Sequence, residues 1–267
     1  MPELPEVETI VRSLSKAVGY RVEKLVVYKP VVVRQECYSI DSLTGLPIES
    51  ITRRGKFIVM DLGGQHYLIW HMGMSGRLFL TESGQTRANH THVVLHLVDA
   101  GELHYVDPRR FGGLWLVHRP EDVFGQLGPE PLGKEFSAAY LEKSLRNKKT
   151  PIKNLLLNQC VVAGIGNIYA DEILFDSAIS PERIAGSLDS KEIAKLHRSI
   201  KKVLRQGIEC RGTTFRDYRD GFNRPGGFQE YLRVYGREGK PCLKCGNPIC
   251  RIKMGGRSTH FCQHCQH

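Results

Sequence analysis

Two groups of residues in this sequence have types and spacings suited to chemistry. The first is the opening, Met1-Pro2-Glu3-Leu4-Pro5-Glu6. Removal of Met1, usual before a small second residue, frees a secondary amine on Pro2. An α-amino group has an ordinary pKa of about 7.7–8.0, so a useful neutral fraction exists near pH 7. Such an amine can attack an electrophilic carbon and form an iminium (Schiff base) intermediate. Glu3 beside it, and Glu6 one turn on, have the chemistry of a general acid or base. A plainer reading stays open at this point: a helix start with proline and negative charge in its first turn.

The second group is Cys242-x-x-Cys245 and Cys262-x-x-Cys265, separated by sixteen residues. Two such pairs can sit on two hairpin knuckles and close a tetrahedral four-thiolate site. Four protein ligands leave no open position, so one structural Zn2+ is expected, and it would supply much of the folding free energy of so short a module. His260, His264 and His267 are substitute ligands, but the paired cysteines fit better. The other cysteines, Cys37, Cys160, Cys210 and Cys250, are scattered. The opening has no basic and apolar leader pattern, so the pairing reads as metal binding in a reducing cytosol rather than disulfides.

Charge narrows the partner. The formal net charge is +10, and residues 233–267 carry seven Lys and Arg against Glu238 alone. That favours an anionic partner, most economically nucleic acid. No apolar run reaches the roughly 18 residues that a membrane helix needs. Lys253 to Thr259 reads as a turn presenting Arg257. The spacing is not the two-cysteine, two-histidine pattern that places a reading helix in the major groove, so phosphate contact is expected instead.

These groups need a scaffold. Val7, Ile10, Val11, Leu14 and Val18 give residues 2–19 one apolar stripe at helical period. Strand patterns follow. Residues 57–62 and 67–70 flank Gly63-Gly64, and residues 92–98 and 103–106 flank Asp99-Ala100-Gly101, two hairpin signals. Many short strands at close spacing suggest a sandwich or a barrel. Pro129, Pro131 and Gly133 mark a linker. Residues 153–158, 167–177 and 191–208 then read as helices, the last with a stripe of Ile193, Leu196, Ile200, Val203 and Leu204. The polar, Gly-rich stretch 211–228 favours a mobile loop. Domains are expected at 1–130, 131–230 and 231–267.

With these residues in view, the chain resembles the formamidopyrimidine-DNA glycosylase family. Its start, Met1-Pro2-Glu3-Leu4-Pro5-Glu6-Val7-Glu8-Thr9, carries the likeness first. Further motifs follow in order: Arg53-Arg54-Gly55-Lys56-Phe57, His71-Met72-Gly73-Met74-Ser75-Gly76, Asp107-Pro108-Arg109-Arg110-Phe111-Gly112, Gly164-Ile165-Gly166-Asn167-Ile168-Tyr169, Val234-Tyr235-Gly236-Arg237 and the four cysteines. The resemblance implies an α+β protein of two domains: an N-terminal β-sandwich carrying the N-terminal helix, and a C-terminal helical domain with a helix–two-turns–helix element and a four-cysteine zinc finger, with DNA in the cleft between.

It further implies a bifunctional DNA glycosylase and abasic-site lyase that removes oxidised purines (8-oxoguanine and formamidopyrimidines) in base excision repair. On that reading the Pro2 amine attacks C1′ and displaces the base, and Glu3 protonates the opening sugar. Lys56 serves β-elimination and Arg257 serves δ-elimination. Such an enzyme must extrude the nucleotide, at a few kcal/mol of unstacking. Met74, Arg109 and Phe111 match the family's void-filling trio. Asn167, at a helix start suited to phosphate, is matched as a DNA contact, as are His90 and Lys148. Lys153 helps hold the site. Without the resemblance, Lys56 reads as one exposed lysine among many, and Met74 and Phe111 read as ordinary core. The implied partner is double-stranded DNA with oxidised bases or abasic sites, met by a monomer in the bacterial cytoplasm at the nucleoid.

Met72 stands where the family commonly has leucine, and the stretch Asp217 to Gly227, the family's base-capping loop, is variable. Two other readings stay open. An endonuclease VIII-like enzyme for oxidised pyrimidines would open Pro-Glu-Gly-Pro-Glu, whereas Leu4 stands here. A non-catalytic zinc-finger DNA-binding protein would have no need of Pro2, Glu3 or Lys56.

Overall fold

The computed structural model describes residues 1–215 and 217–267. Arg216, inside the polar 211–228 stretch, lies outside the described residues. The chain packs as two units: Met1–Gly125 with Cys210–Gln229, and Gln126–Glu209 with Glu230–His267.

In the first unit, α1 (Leu4–Leu14) opens the chain. Glu3 is its N-cap, and the Glu3 backbone N–H donates to the Glu6 carboxylate at 2.9 Å, as in a capping box. Val7, Ile10 and Leu14 are fully buried and Val11 is buried, so these four make the core face, whereas Val18 lies beyond the helix, is 41% exposed and drops out of the expected stripe. The α-helix stops five residues before Gly19; a 3-10 turn over Ser15–Ala17 follows, and Gly19 at φ +92° turns the chain.

The strands are β1 (Val22–Val27), β2 (Val33–Glu36), β3 (Ser50–Arg54), β4 (Phe57–Asp61), β5 (Tyr67–His71), β6 (Arg77–Thr81), β7 (Thr91–Leu97), β8 (Gly101–Val106) and β9 (Gly113–Val117). They form a four-stranded sheet in the order β1-β7-β8-β6 and a five-stranded sheet in the order β2-β9-β5-β4-β3. Only β2 and β9 pair in parallel; the other ladders between described strands are antiparallel. Both glycine-bearing turns are hairpins, joining β4 to β5 and β7 to β8.

One hydrophobic core takes side chains from both sheets and from α1. Trp70 of β5 meets Tyr105 of β8 across it, with ring centroids 5.5 Å apart. Two sheets sharing one core make a sandwich, which settles the choice left open by strand spacing. A short α2 (Glu121–Phe124) follows β9.

The later segment of this unit makes specific contacts with the sandwich and within itself. Tyr218 belongs to the same core, Leu80 N–H donates to the Gly221 carbonyl at 3.0 Å, and Thr213 N–H donates to the Glu6 carboxylate at 2.6 Å. The buried Asp220 carboxylate accepts from the backbone N–H of Phe222 and of Arg224, both at 2.9 Å. Polar composition does not announce these partners, which lie about 140–210 residues away or inside the turn itself.

In the second unit, α3 (Ala138–Leu145) is capped by the Ser137 hydroxyl, which accepts from Tyr140 N–H at 3.1 Å. Then come α4 (Ile152–Leu156), α5 (Asn167–Ser177) and α6 (Ser190–Glu209). The Gln159 side chain pins the two turns between α4 and α5: it donates to the carbonyls of Leu157 and Ile165 and accepts from Gly164 N–H at 2.9 Å. That segment is the helix–two-turns–helix element. The α6 stripe Ile193, Leu196, Ile200, Val203 and Leu204 is buried as read. β10 (Cys250–Met254) and β11 (Arg257–Phe261) form an antiparallel hairpin, and α5 packs against both α6 and β11. Among the described residues no helix is long and apolar enough to cross a membrane.

Candidate active site and nucleic-acid interface

The first unit assembles its candidate groups around the start of α1 and two turns. Pro2 is buried, with Met1 half-exposed in front of it, and Glu3 is 3% exposed. Lys56 lies on the β3–β4 hairpin turn, where Gly55 takes φ +58°. Contrary to the exposed lysine that sequence alone describes, Lys56 is only 8% exposed.

Arg53 joins the two places. Its guanidinium donates to Glu8 of α1 at 3.0 Å and to the Gly55 carbonyl at 3.1 Å. Burial works against charge on Glu8, but the hydrogen-bonded guanidiniums of Arg12 and Arg53 outweigh it and hold the carboxyl below its usual range. Glu8 and Arg53 were visible only as motif letters. Their role appears once α1 crosses β3.

His71, at the end of β5, is likewise visible in the sequence only as a motif letter. Burial first, and then the nearby Lys56 cation, push its pKa down to about 4, against an opposing pull from Asp107. Its Nδ1 therefore stays an acceptor, taking Gly73 N–H at 3.1 Å.

The 107–112 turn is built on one carboxylate. Asp107 is fully buried and accepts from Ser75 Oγ at 2.7 Å, Gly112 N–H at 2.9 Å, Arg109 N–H at 3.3 Å and Tyr105 OH at 3.3 Å. Arg34 of β2 grips the turn from outside, donating to the carbonyls of Arg110 and Gly112 at 2.9 and 2.8 Å. The two motif loops touch backbone to backbone: a Cβ on Gly73 would strike Gly112 N, and one on Gly112 would strike the His71 carbonyl. Only glycine permits that approach.

This scaffold thrusts three side chains outward. Met74 is 45% exposed and Phe111 61% exposed, and Arg109 donates to the Met74 sulfur at 3.7 Å. The core-packing reading of Met74 and Phe111 is thereby overturned; their neighbour Met72 is the core residue, 1% exposed. His90 is exposed with φ +66°, uncommon for a residue with a Cβ, and its carbonyl accepts from Asp107 N–H at 3.1 Å.

In the second unit, Gly166 rather than Asn167 caps α5, and Asn167 is its first residue. The Asn167 amide donates to the Ser258 carbonyl at 2.9 Å, which sets it beside Arg257 on the β10–β11 hairpin. Gly255 and Gly256 make the tight turn at φ +52° and +78°, and Arg257 is exposed. Lys148 is exposed on the α3–α4 connection, apart from that pair.

Beneath the hairpin lies a buried charge pair. Lys153 Nζ is 2.6 Å from Asp171, and both side chains are fully buried. Lys153 also donates to Thr259 Oγ1 at 2.8 Å and the Ser258 carbonyl at 3.1 Å, while His260 N–H donates to Asp171 at 2.8 Å. The adjacent Glu172 accepts from the backbone N–H groups of Arg233, Val234 and Tyr235. Burial pushes the Glu172 carboxyl up, although those N–H groups pull it down. Two consecutive carboxylates inside the apolar α5 were the available signal for this pair of anchors.

The four sulfurs of Cys242, Cys245, Cys262 and Cys265 lie within 4.8 Å of one another. Zinc–sulfur bonds of about 2.3 Å in a tetrahedron require sulfurs ~3.8 Å apart, so the set fits. Lys244 N–H points at the Cys242 sulfur at 3.4 Å, and Gln266 ties the second knuckle to the Ile179 carbonyl at 2.9 Å. The four cysteines hold one structural zinc.

Comparisons with known proteins place the chain. Residues 1–114 match the formamidopyrimidine-DNA glycosylase N-terminal domain, 127–219 the formamidopyrimidine-DNA glycosylase H2TH domain, and 239–267 a zinc finger found in FPG and IleRS. Formamidopyrimidine-DNA glycosylase from Syntrophomonas wolfei is 48% identical over 100% of both chains. The crystal structure of MutM (FPG) protein from Thermus thermophilus superposes with a TM-score of 0.90 at 40% identity, covering 99% of this chain and 98% of that one. A Lactococcus lactis FPG mutant in complex with a Fapy-dG containing DNA gives a TM-score of 0.93 at 36% identity, covering 99% of each chain.

Proposed function

Because the chain belongs to the formamidopyrimidine-DNA glycosylase family, we propose how its own residues carry out that family's work. It is a base excision repair glycosylase and abasic-site lyase, and its substrate is double-stranded DNA carrying formamidopyrimidines, 8-oxoguanine or abasic sites. Excision of oxidised purines, rather than pyrimidines, follows the family. The site of action is DNA at the nucleoid of the bacterial cytoplasm.

Loss of Met1 exposes the Pro2 amine. Its lone pair attacks C1′ of the extruded nucleotide, the C1′–N bond breaks, and the base leaves. Glu3 gives a proton to the ring oxygen as the sugar opens to the iminium. Lys56 serves the β-elimination that expels the 3′ phosphate, and Arg257 serves the δ-elimination that expels the 5′ phosphate. The product is a one-nucleoside gap with phosphates at both ends. Phe111 is the flat wedge, Met74 the flexible plug and Arg109 the fork for the orphaned cytosine. His90, Lys148 and Asn167 take phosphates, and the zinc finger presents Arg257.

One observation supports the catalytic reading above the others. Arg53 links Glu8 of α1 to the turn of Lys56, so the chain start and the elimination lysine are held by one buried guanidinium. Borohydride trapping on 8-oxoguanine opposite cytosine tests it. The processed, zinc-loaded protein should crosslink through Pro2, and Pro2→Gly should trap poorly. Full strand cleavage with Met1 retained would refute the amine mechanism.

A further inference from the structure

Next to the 107–112 turn, the outer end of the β1–β7 ladder holds a cavity of about 410 Å³, lined among others by Tyr28, Lys29, Arg87, Asn89, His90 and Thr91. No carboxylate lines it. Among the described residues neither Lys29 nor Arg87 has an ion-pair partner. Two unpaired cations beside an imidazole repel one another, which a monoanion between them would relieve.

The pocket is shaped rather than a loose run of charge. The Arg87 guanidinium lies 3.8 Å over the Tyr28 ring, which fixes its plane and leaves its N–H edges free for an oxyanion. Tyr28 N–H donates to the His92 carbonyl at 2.8 Å, so Lys29 emerges where β1 runs past the 88–91 turn. Thr91 closes that turn, donating through both N–H and Oγ1 to the Ala88 carbonyl. His90 takes its left-handed conformation there, a strain of the kind found at ligand sites.

The same turn is fastened to the loop of Arg109 and Phe111. Asp107 N–H donates to the His90 carbonyl at 3.1 Å, and His92 Nε2 meets the Asp107 carbonyl at 2.8 Å. Pocket and reading loop therefore share one frame.

We propose that Lys29 and Arg87 bind a backbone phosphate of the duplex flanking the damaged nucleotide, extending the DNA track of the first unit beyond His90 to the edge of β1. The proposal rests on the glycosylase reading. A phosphodiester is the fitting ligand: Arg87 offers a planar fork, Lys29 a point charge, and nothing in the lining selects a base.

The test uses the full-length, zinc-loaded protein and a duplex of about 30 base pairs with a tetrahydrofuran abasic analogue. Affinity is measured from roughly 50 to 200 mM salt for the parent, Lys29→Ala/Arg87→Ala and Lys29→Arg/Arg87→Lys. Each phosphate neutralised contributes about 0.9 to the slope of log affinity against log salt. The double alanine variant should lose about one such increment and bind several-fold more weakly at low salt. The charge-retaining variant should keep the parent's slope. The difference should vanish when the duplex is shortened past the flank. An unchanged slope on the long duplex overturns the proposal, as does a difference that survives on the shortest one. Borohydride trapping of the parent keeps the two readings apart: a parent that never crosslinks sinks the glycosylase reading, whereas a crosslinking parent with an unaltered variant slope sinks only the pocket.

Discussion

Replacing Lys153 by methionine should loosen the finger hairpin without disturbing the sandwich. The side chain keeps its length, but the fully buried Asp171 loses a cation at 2.6 Å. At an effective dielectric of 20, that contact is worth about 6 kcal/mol of Coulomb energy. Desolvating both ions costs several kcal/mol each, so the intact pair contributes little net stability. Breaking it is another matter, because an uncompensated buried carboxylate costs about 3–5 kcal/mol. The hydrogen bonds from Lys153 Nζ to the Ser258 carbonyl and Thr259 Oγ1 also go, leaving the Asn167 amide on that carbonyl. Adding Asp171→Asn removes the stranded charge while keeping an acceptor for His260 N–H, so the double variant should recover much of the loss. The assay follows from residue placement. Both tryptophans, Trp70 and Trp115, lie in the sandwich, so fluorescence reports that unit. Zinc release to a chromogenic chelator reports the other. With urea m-values of about 1–3 kcal/mol/M, the zinc-release midpoint of Lys153→Met should fall by roughly 2 M. An unmoved midpoint, or a double variant no better than the single, would refute this reasoning.

Three further outcomes are expected. Cys262→Ala should release the zinc and lower DNA affinity roughly tenfold or more, since the finger positions Arg257; zinc analysis and binding titrations check both, and a melting curve like the parent's would contradict a structural role. His71 resists protonation down to about pH 4, whereas the unfolded chain takes up that proton near 6.5. Stability should therefore fall as pH drops from about 6.5 to 4, by on the order of 3 kcal/mol from this group, and His71→Asn should flatten that part of a pH-stability curve. Asp107→Ala strands the Ser75 hydroxyl and the Gly112 N–H, so it should cost about 3 kcal/mol or more and impair lesion binding; parent-like fluorescence melting would show the turn to be self-supporting.

Spacing and periodicity are local properties, and whatever depends on them was legible in the chain. The two cysteine pairs, the α1 stripe from Val7 to Leu14, the α6 stripe, the glycine hairpins and the succession of motifs are all readable in the order of residues. Exposure was not. Met74 and Phe111 look like core residues because an apolar side chain has the same pattern whether it packs inside or stands on a turn; the buried Asp107 decides that it stands out. Lys56 looked exposed because lysines usually are, and its turn lies against α1 through Arg53. Residues 210–229 join the first unit through Glu6, Tyr218 and Gly221, partners that no local pattern announces. The pairing of Lys153 with Asp171, and the low basicity of His71, arise only when folding removes water from around them, since burial and neighbouring charge belong to the packed chain and not to the order of its residues.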